Sequence, residues 1–383
     1  LFIDKLGNDM YSTWEDYSFG SVRWARGFAG CGIFMDLEGR DRYSRNTLAK
    51  DGNLWTHNGW GIGIDLDRDI VTKPAEEKTE EIVLTAEDSL KTVEELYGEA
   101  SLWEVGSNRK KVARSKKAFL ERGMEALQYI CDNKLGTDSS LELRLIDTIT
   151  KEYPDSIAPL LIPKIYDENK KIQKNAIRLL GVAKAKEAHA PLKRMLEDKE
   201  NDVLKRNLIG ALGSIGNKDA TISICSFIDD EEELCRLSVI GALKRLKDPD
   251  ADSVLINALD DEIFTVRSAV VTAIVDLAQI NTSKALYNRV KNKQLNYLEL
   301  GIRTLSNIEQ KFADSTMVEY KKQRKRSQKL FITLLQDEDE RIRAEAVKAV
   351  YLNCNNKKRK WLKEFMKEEE NPFVNAVYSE IIK

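Results

Sequence analysis

Residues 196–216 read LEDKENDVLKRNLIGALGSIG. An apolar helix end meets an acidic turn, and a second helix follows with apolar residues at helical spacing. The same arrangement recurs on both sides. Asp167, Asp198, Asp229 and Asp260 stand 31 residues apart, with a base seven residues after each, at Lys174, Lys205, Arg236 and Arg267. Ten residues after each Asp stands an aliphatic residue (Ile177, Leu208, Val239, Val270). Thirteen after stands a small one (Ala211, Ala242, Ala273), although Leu180 breaks that column. Two residues before each Asp the column is apolar throughout: Ile165, Leu196, Phe227, Ala258. A period of this length, built from paired amphipathic helices, predicts an α-solenoid in which each pair buries its apolar face only against its neighbours.

These units resemble HEAT repeats, and more narrowly the short bacterial HEAT-like kind. The resemblance is strong over residues 155–280, weaker through 281–325, and returns at LLQDEDERIRAEAVKAV (334–350), where Arg343 and Ala346 regain the register. NPFVNAVYSEIIK reads as a closing half-repeat. The resemblance implies a right-handed superhelix of helix pairs with an extended inner face for binding polypeptides. The turn acid suits the start of a helix, where the dipole and free amides favour negative charge, and the following base can pair with a neighbouring repeat's acid.

The amino-terminal part has another grammar. Ten of the 20 glycines and four of the six tryptophans lie within residues 1–63, a density that predicts strands and turns. FIDKLGNDMYS (2–12), GIFMDLEGRDRYS (32–44) and GIGIDLDRD (61–69) echo one another, aligning Asp4, Asp36 and Asp65, then Asp9 and Asp41 five residues on, with Asp69 four residues after Asp65, and also Tyr11 with Tyr43. We expect one β-rich unit per copy. DLEGRDRY resembles a Gly-Asp-Tyr repeat found beside HEAT-like repeats in bacterial proteins. The six aspartates read first as turn-fastening side chains, with Gly39 supplying positive φ. A calcium site on Asp4, Asp9, Asp36, Asp41, Asp65 and Asp69 is the alternative, since clustered carboxylates suit hard cations. Repetition argues against a catalytic carboxylate pair. Trp14, Trp24, Trp55 and Trp60 read as core residues of this module rather than as a ligand platform.

The expected organisation is a β-repeat module (1–70), a linker (71–84) around TKPAEEKTEE, a helical adaptor (85–153) and the solenoid (154–383). The adaptor would open with the capping-box-like Thr85-Ala-Glu-Asp88, run as one helix to about Trp103, and continue as another from about Arg109 to Cys131. The chain opens at Leu1 inside the first copy, so an upstream segment is expected, with any signal peptide or lipid anchor it carries.

Composition narrows function. Lys and Arg (61) nearly balance Asp and Glu (63), and the net charge of -2 gives no global attraction to nucleic acid or anionic membrane. No apolar run approaches the roughly 20 residues that span a bilayer. Five scattered cysteines and two distant histidines, His57 and His189, offer neither a cysteine zinc site nor an HExxH hydrolase. No phosphate-binding glycine loop or serine nucleophile elbow is present. HEAT-like repeats also resemble those of bilin lyases and of deoxyhypusine hydroxylase. The hydroxylase needs paired His-Glu motifs, and the chain has no His-Glu step.

The expectation is therefore a non-enzymatic scaffold for protein partners, a component of a larger bacterial assembly, with no catalytic residue and no cofactor beyond the calcium alternative. Candidate partner contacts are the ladder bases Lys174, Lys205, Arg236, Arg267 and Arg343, and Lys321, Lys322, Arg324, Lys325 and Arg326 in KKQRKRSQK. The acidic turn DDEEE (229–233) is a further candidate. Nucleic-acid backbone binding and a lyase- or hydroxylase-type enzyme are the alternatives. The Gly-Asp-Tyr resemblance leans towards the cell envelope, with the cytoplasm as the other compartment.

Overall fold

In a computed structural model the chain separates into two compact units, residues 1–81 and 82–383. The structure describes residues 2–4, 10–11, 32–36, 42–43, 54–57, 61–65, 82–106 and 108–382.

In the first unit the aligned copies become neighbouring strands. β1 (Phe2–Asp4), β2 (Met10–Tyr11), β3 (Gly32–Asp36), β4 (Arg42–Tyr43), β5 (Leu54–His57) and β6 (Gly61–Asp65) form two sheets. The larger has the order β1-β3-β6-β5, and β2 pairs with β4. β1, β3 and β6 run parallel in the register of the repeat, so Asp4 faces Asp36 and Asp36 faces Asp65. Tyr11 likewise pairs with Tyr43. β5 folds back antiparallel on β6, placing Trp55 over Gly63. A Cβ on Gly63 would come within 2.0 Å of the indole, which is why a glycine stands there. Trp55 is buried and meets Phe34 at 5.7 Å between ring centroids. Trp14, Trp24, Trp60 and Gly39 lie outside the described residues.

The second unit is helical. Where one helix is expected from Thr85 to Trp103, two short ones form, α1 (Ala86–Leu90) and α2 (Val93–Ala100). Each has its own capping box, Thr85 with Asp88 and Thr92 with Glu95. The second cap competes successfully with helix continuation because Arg122 donates to the freed carbonyls of Ser89 and Lys91, at 3.0 and 2.7 Å. The next expected helix is divided too, into α3 (Asn108–Glu121) and α4 (Met124–Asn133), at Gly123 with φ 57°. α5 (Ser140–Glu152) follows.

Seven helix pairs then stack to the end of the described chain: α6 (Pro154–Leu161) with α7 (Lys170–Ala183), α8 (His189–Glu197) with α9 (Lys205–Ile215), and α10 (Thr221–Cys225) with α11 (Glu233–Leu246). α12 (Asp252–Asn257) pairs with α13 (Phe264–Leu277), and α14 (Ile280–Lys291) with α15 (Leu298–Lys311). α16 (Val318–Leu334) with α17 (Glu340–Asn353) and α18 (Asn356–Phe365) with α19 (Pro372–Ile381) complete the stack. This is the HEAT-like solenoid, and the pairing continues through 281–325, where the sequence resemblance fades. The closing half-repeat is the second helix of a full pair.

Second helices approach one another closely. A Cβ on Gly181 would stand 2.8 Å from the Ala211 Cα, and one on Gly213 would stand 2.6 Å from the Ala242 Cα. The small-residue column is thus one side of a two-sided contact, and Gly181 supplies what Leu180 lacks. Such close approach makes the second helices the inner layer of the curve and the first helices the outer one.

The core is a continuous apolar cluster with scattered buried polar residues, and these are densest at α14–α17. There Glu309, 3% exposed, accepts from the hydroxyls of Ser283 at 2.8 Å and Ser327 at 2.9 Å. Asn353 donates to the Ser306 hydroxyl at 2.7 Å, and Gln323 and Thr304 are buried nearby in the sequence of the same helices. Buried polar groups persist only when hydrogen-bonded, and this layer largely satisfies itself. It also explains the faded resemblance, because polar residues occupy positions that are aliphatic elsewhere. Among the described residues no helix is long and apolar enough to cross a membrane.

Candidate interaction surface

The turns between paired helices are built by acids. Asp167, Asp198, Asp230, Asp261 and Asp337 each accept the amide two residues on, at 2.8 to 3.2 Å, and Glu369 does the same for Asn371 at 3.0 Å. In the third and fourth units the turn-building acid is Asp230 or Asp261, one residue beyond the Asp229 and Asp260 of the 31-residue column. Each belongs to an Asp-Asp doublet, so periodicity alone selected the wrong member. Asp260 has a different task, accepting the amides of Asn296 and Tyr297 at 2.7 and 3.2 Å.

The bases then link repeat to repeat. The Lys205 ammonium lies 2.8 Å from Asp230 of the next turn. Arg236 donates through Nη1 to its own turn at the Asp230 carbonyl, 2.7 Å, and through Nη2 to Asp261 of the next, 3.1 Å. Its Nε lies 2.8 Å from the other Asp261 oxygen, a close ion pair whose N–H points off the bond axis. Arg343 repeats the pattern, with the Asp337 carbonyl at 2.9 Å and Glu369 at 3.1 and 3.2 Å. Arg267 keeps the carbonyl of Asp261 at 2.6 Å, but its guanidinium stacks on Tyr297, 3.9 Å from the ring centroid. The hydrogen bond from Lys205 to Asp230 raises the lysine's pKa, against an opposing effect of burial. Lys205, Arg236, Arg267 and Arg343 are therefore engaged inside the stack, and Arg236, 5% exposed, presents no surface to a partner. Lys174, partly exposed, lines an open cavity that Lys205 also borders.

That cavity belongs to the inner layer. One hollow of about 460 Å³ is bounded by Lys174, Asp202, Arg206, Asn207, Glu232 and Ser238. A second, of about 340 Å³, is bounded by Arg178, Arg206, Asn207, Gly210, Ser214 and Arg245. Arg206 and Asn207 border both, so the two form one polar trough across α7, α9 and α11. Acids outside the second hollow steady two of its three arginines. Arg178 contacts Asp147 at 2.5 Å, and Arg206 contacts Glu232 at 2.9 Å. Arg245 reaches the Gly210 carbonyl at 3.4 Å. Arg178, Arg206, Asn207, Ser214 and Arg245 were missed in the sequence because they fall outside the repeat columns. The signal available was irregularity, namely polar residues on the second helices where no column demands them.

Of the basic run, Lys321, Lys322, Lys325 and Arg326 are exposed on α16. Arg324 is turned inward, donating to the carbonyls of Ala313 at 2.8 Å and Asn353 at 3.5 Å. In the amino-terminal unit Asp36 and Asp65 are buried neighbours, each engaged in interactions of its own. Asp4 continues their register, while Asp9, Asp41 and Asp69 of the calcium alternative lie outside the described residues. Among the described residues no three His, Cys, Asp or Glu side chains gather as a metal-ligating group. Burial pushes the thiols of Cys131 and Cys235 up to about 12 and that of Cys225 to about 11, which makes them poor nucleophiles. His189 is buried at the start of α8.

A family model described as HEAT repeats matches residues 158–236. No curated protein matches the chain. Among solved structures, the complex of CpcE and CpcF of phycocyanin lyase from Nostoc sp. PCC7120 is similar at 15% identity, with a TM-score of 0.34, over 64% of this chain and 93% of that one.

Proposed function

We propose that this chain is a non-enzymatic scaffold that holds a polypeptide partner on the inner layer of its HEAT-like solenoid, as one component of a larger assembly. The trough across α7, α9 and α11 carries the reading. Its two hollows are lined by guanidinium, ammonium, amide and hydroxyl groups, with the carboxylates of Asp202 and Glu232 at the first. It stands on helices fixed by glycine contacts and by the acid–base ladder. Tethered arginines keep spare N–H donors in a set direction, which suits carboxylates and backbone carbonyls of a bound chain. Rigid walls lower the ordering cost of binding.

The test is affinity capture from cells of the source organism, using wild type and the double variant R206E/R245E, quantified by mass spectrometry. At least one polypeptide should be depleted about tenfold or more by the variant, equivalent to about 1.4 kcal/mol of binding. Identical captured sets with both proteins would remove the trough from the partner interface.

A further inference from the structure

The outer layer carries a feature that the scaffold reading leaves unused. α16 presents Lys321, Lys322, Lys325, Arg326 and Lys329 to solvent, while Gln323, Ser327, Leu330, Phe331 and Leu334 form its buried side. Positions one, four, five and eight residues apart share one face of a helix. α18 stands next in the layer, with Lys357, Lys360 and Lys363 exposed and Leu362 and Met366 turned inward. Arg324 and Gln328 of α16 donate to the carbonyl of Asn353, the last residue of α17, at 3.5 and 2.5 Å, two residues before Asn355 caps α18. The two basic rows thus lie on the first helices of consecutive pairs, both seated against α17.

These cations differ from the ladder bases in having no carboxylate. Among the described residues, the ion pairs on α16 and α18 are Lys284–Glu319 at 3.8 Å, at the start of α16, and Lys367–Glu364 at 2.6 Å, at the end of α18. Neither neutralises the eight side chains between. The chain's net charge of -2 thus conceals an uneven distribution, since no acid stands between Lys321 and Lys329 on α16 or between Lys357 and Lys363 on α18. At physiological salt, charges separated by more than about 8 Å are largely screened from one another, so acids farther off than that do not cancel these rows.

We infer that the outer face of α16 and α18 binds the phosphodiester backbone of a nucleic-acid duplex without reading its sequence. Seven of the eight cations are lysines, which act as point charges on phosphate rather than as the bidentate forks that identify bases. A membrane-docking helix would intersperse apolar side chains for insertion. Here the α16 row carries no apolar side chain between Lys321 and Lys329, and the one exposed aromatic among the α18 cations, Trp361, lies against Phe365 at 5.4 Å with Lys358 over its ring at 5.2 Å. An acidic peptide is better served by the trough on the opposite layer than by a two-helix ridge. This surface is separate from the proposed partner trough, so either can fail without the other.

The experiment titrates the full chain into short fluorescent duplexes of unrelated sequence and follows anisotropy as salt rises. Unrelated duplexes should bind alike, and log affinity should fall linearly with log salt at about 0.9 per phosphate contacted, for roughly five to eight contacts. Replacing Lys321, Lys322, Lys325 and Arg326 together by Gln should flatten that slope by about 3 to 4 and weaken binding by at least about tenfold near 0.1 M salt. The set K357Q/K360Q/K363Q, on a different helix, should flatten it by about 2 to 3 and gives an independent reading if the first set does not fold. No duplex binding at low salt would overturn the inference. So would binding that neither set alters, or capture of phosphatidylserine vesicles in place of duplex.

Discussion

Glu99 and Glu309 are both removed from bulk water, yet their surroundings move them in opposite directions. Burial pushes Glu99 up, but bonds from Lys91, Ser115 and Lys111, at 2.9, 2.6 and 3.1 Å, outweigh it and hold the carboxyl at about 2. A depressed acid contributes stability that is present above its unfolded pKa, about 4.3, and lost as pH falls towards the folded value. Glu99→Gln should therefore destabilise at neutral pH, with the deficit shrinking below about pH 4. Burial raises the pKa of Glu309, opposed by the Ser283 and Ser327 hydroxyls; Arg324 is the cation facing it and Tyr320 the other titrating neighbour. For a raised acid the contribution is full below the unfolded pKa and is lost as pH rises through the folded one. Glu309→Gln should accordingly gain on wild type as pH rises. Denaturant melts over a pH series check both signs, and parallel profiles for the two variants would refute the assignment. At the same scale, Arg236→Ala leaves Asp261 buried without its cation and should cost about 3 to 5 kcal/mol. Arg206→Ala breaks the half-exposed Glu232 pair and should cost about 1 kcal/mol or less.

Among elements, the second helices carry the informative contrast. Gly213 and Gly210 lie on the same helix, α9, but a Cβ at Gly213 meets the Ala242 backbone at 2.6 Å, whereas at Gly210 it meets nothing within 4 Å. Gly213→Ala should force α9 from α11 and destabilise by about 1 to 3 kcal/mol. Gly210→Ala should stabilise by about 0.5 to 1 kcal/mol through helix propensity alone. Thermal melts of the two variants decide the matter, and equal shifts would mean that the close approach carries no energetic weight. These glycines also mark how far the sequence could be read. The helix pairs, the turn acids and the aliphatic stripe were legible because they repeat with the fold. Gly181 was not, because the small residue it replaces sits one position away, in Leu180's column. Nor was the choice between Asp229 and Asp230, since adjacent acids satisfy the same period and only backbone geometry selects between them. The break at Lys91–Thr92 depended on Arg122, 30 residues distant, which no local pattern reports.

For the whole molecule, a solenoid couples each pair only to its neighbours, so damage should stay local. Removing α18 and α19 uncovers the apolar side of α17 and takes Glu369 from Arg343. Hydrogen exchange of a chain ending at residue 355 should show loss of protection in α16 and α17 while α7 to α11 keep theirs. Uniform loss along the stack would show that the solenoid unfolds as one cooperative body. The trough and the basic ridge were legible only in part for a related reason. The α16 lysines of the ridge stood out as a run, whereas those of α18 did not, and the lack of carboxylate partners emerges only from packing. The trough is assembled from three repeats at positions that no single repeat advertises. The ladder carries a last consequence. The central repeats offer a base at one end and an acid at the other, as Lys205 reaches Asp230 and Arg236 reaches Asp261, so such a unit is complementary to its own copy. A tandem duplication at this point inherits a satisfied junction on both sides at once. The array can therefore lengthen or shorten by whole repeats without first evolving a new interface, and its reach is an easier property to change than its curvature.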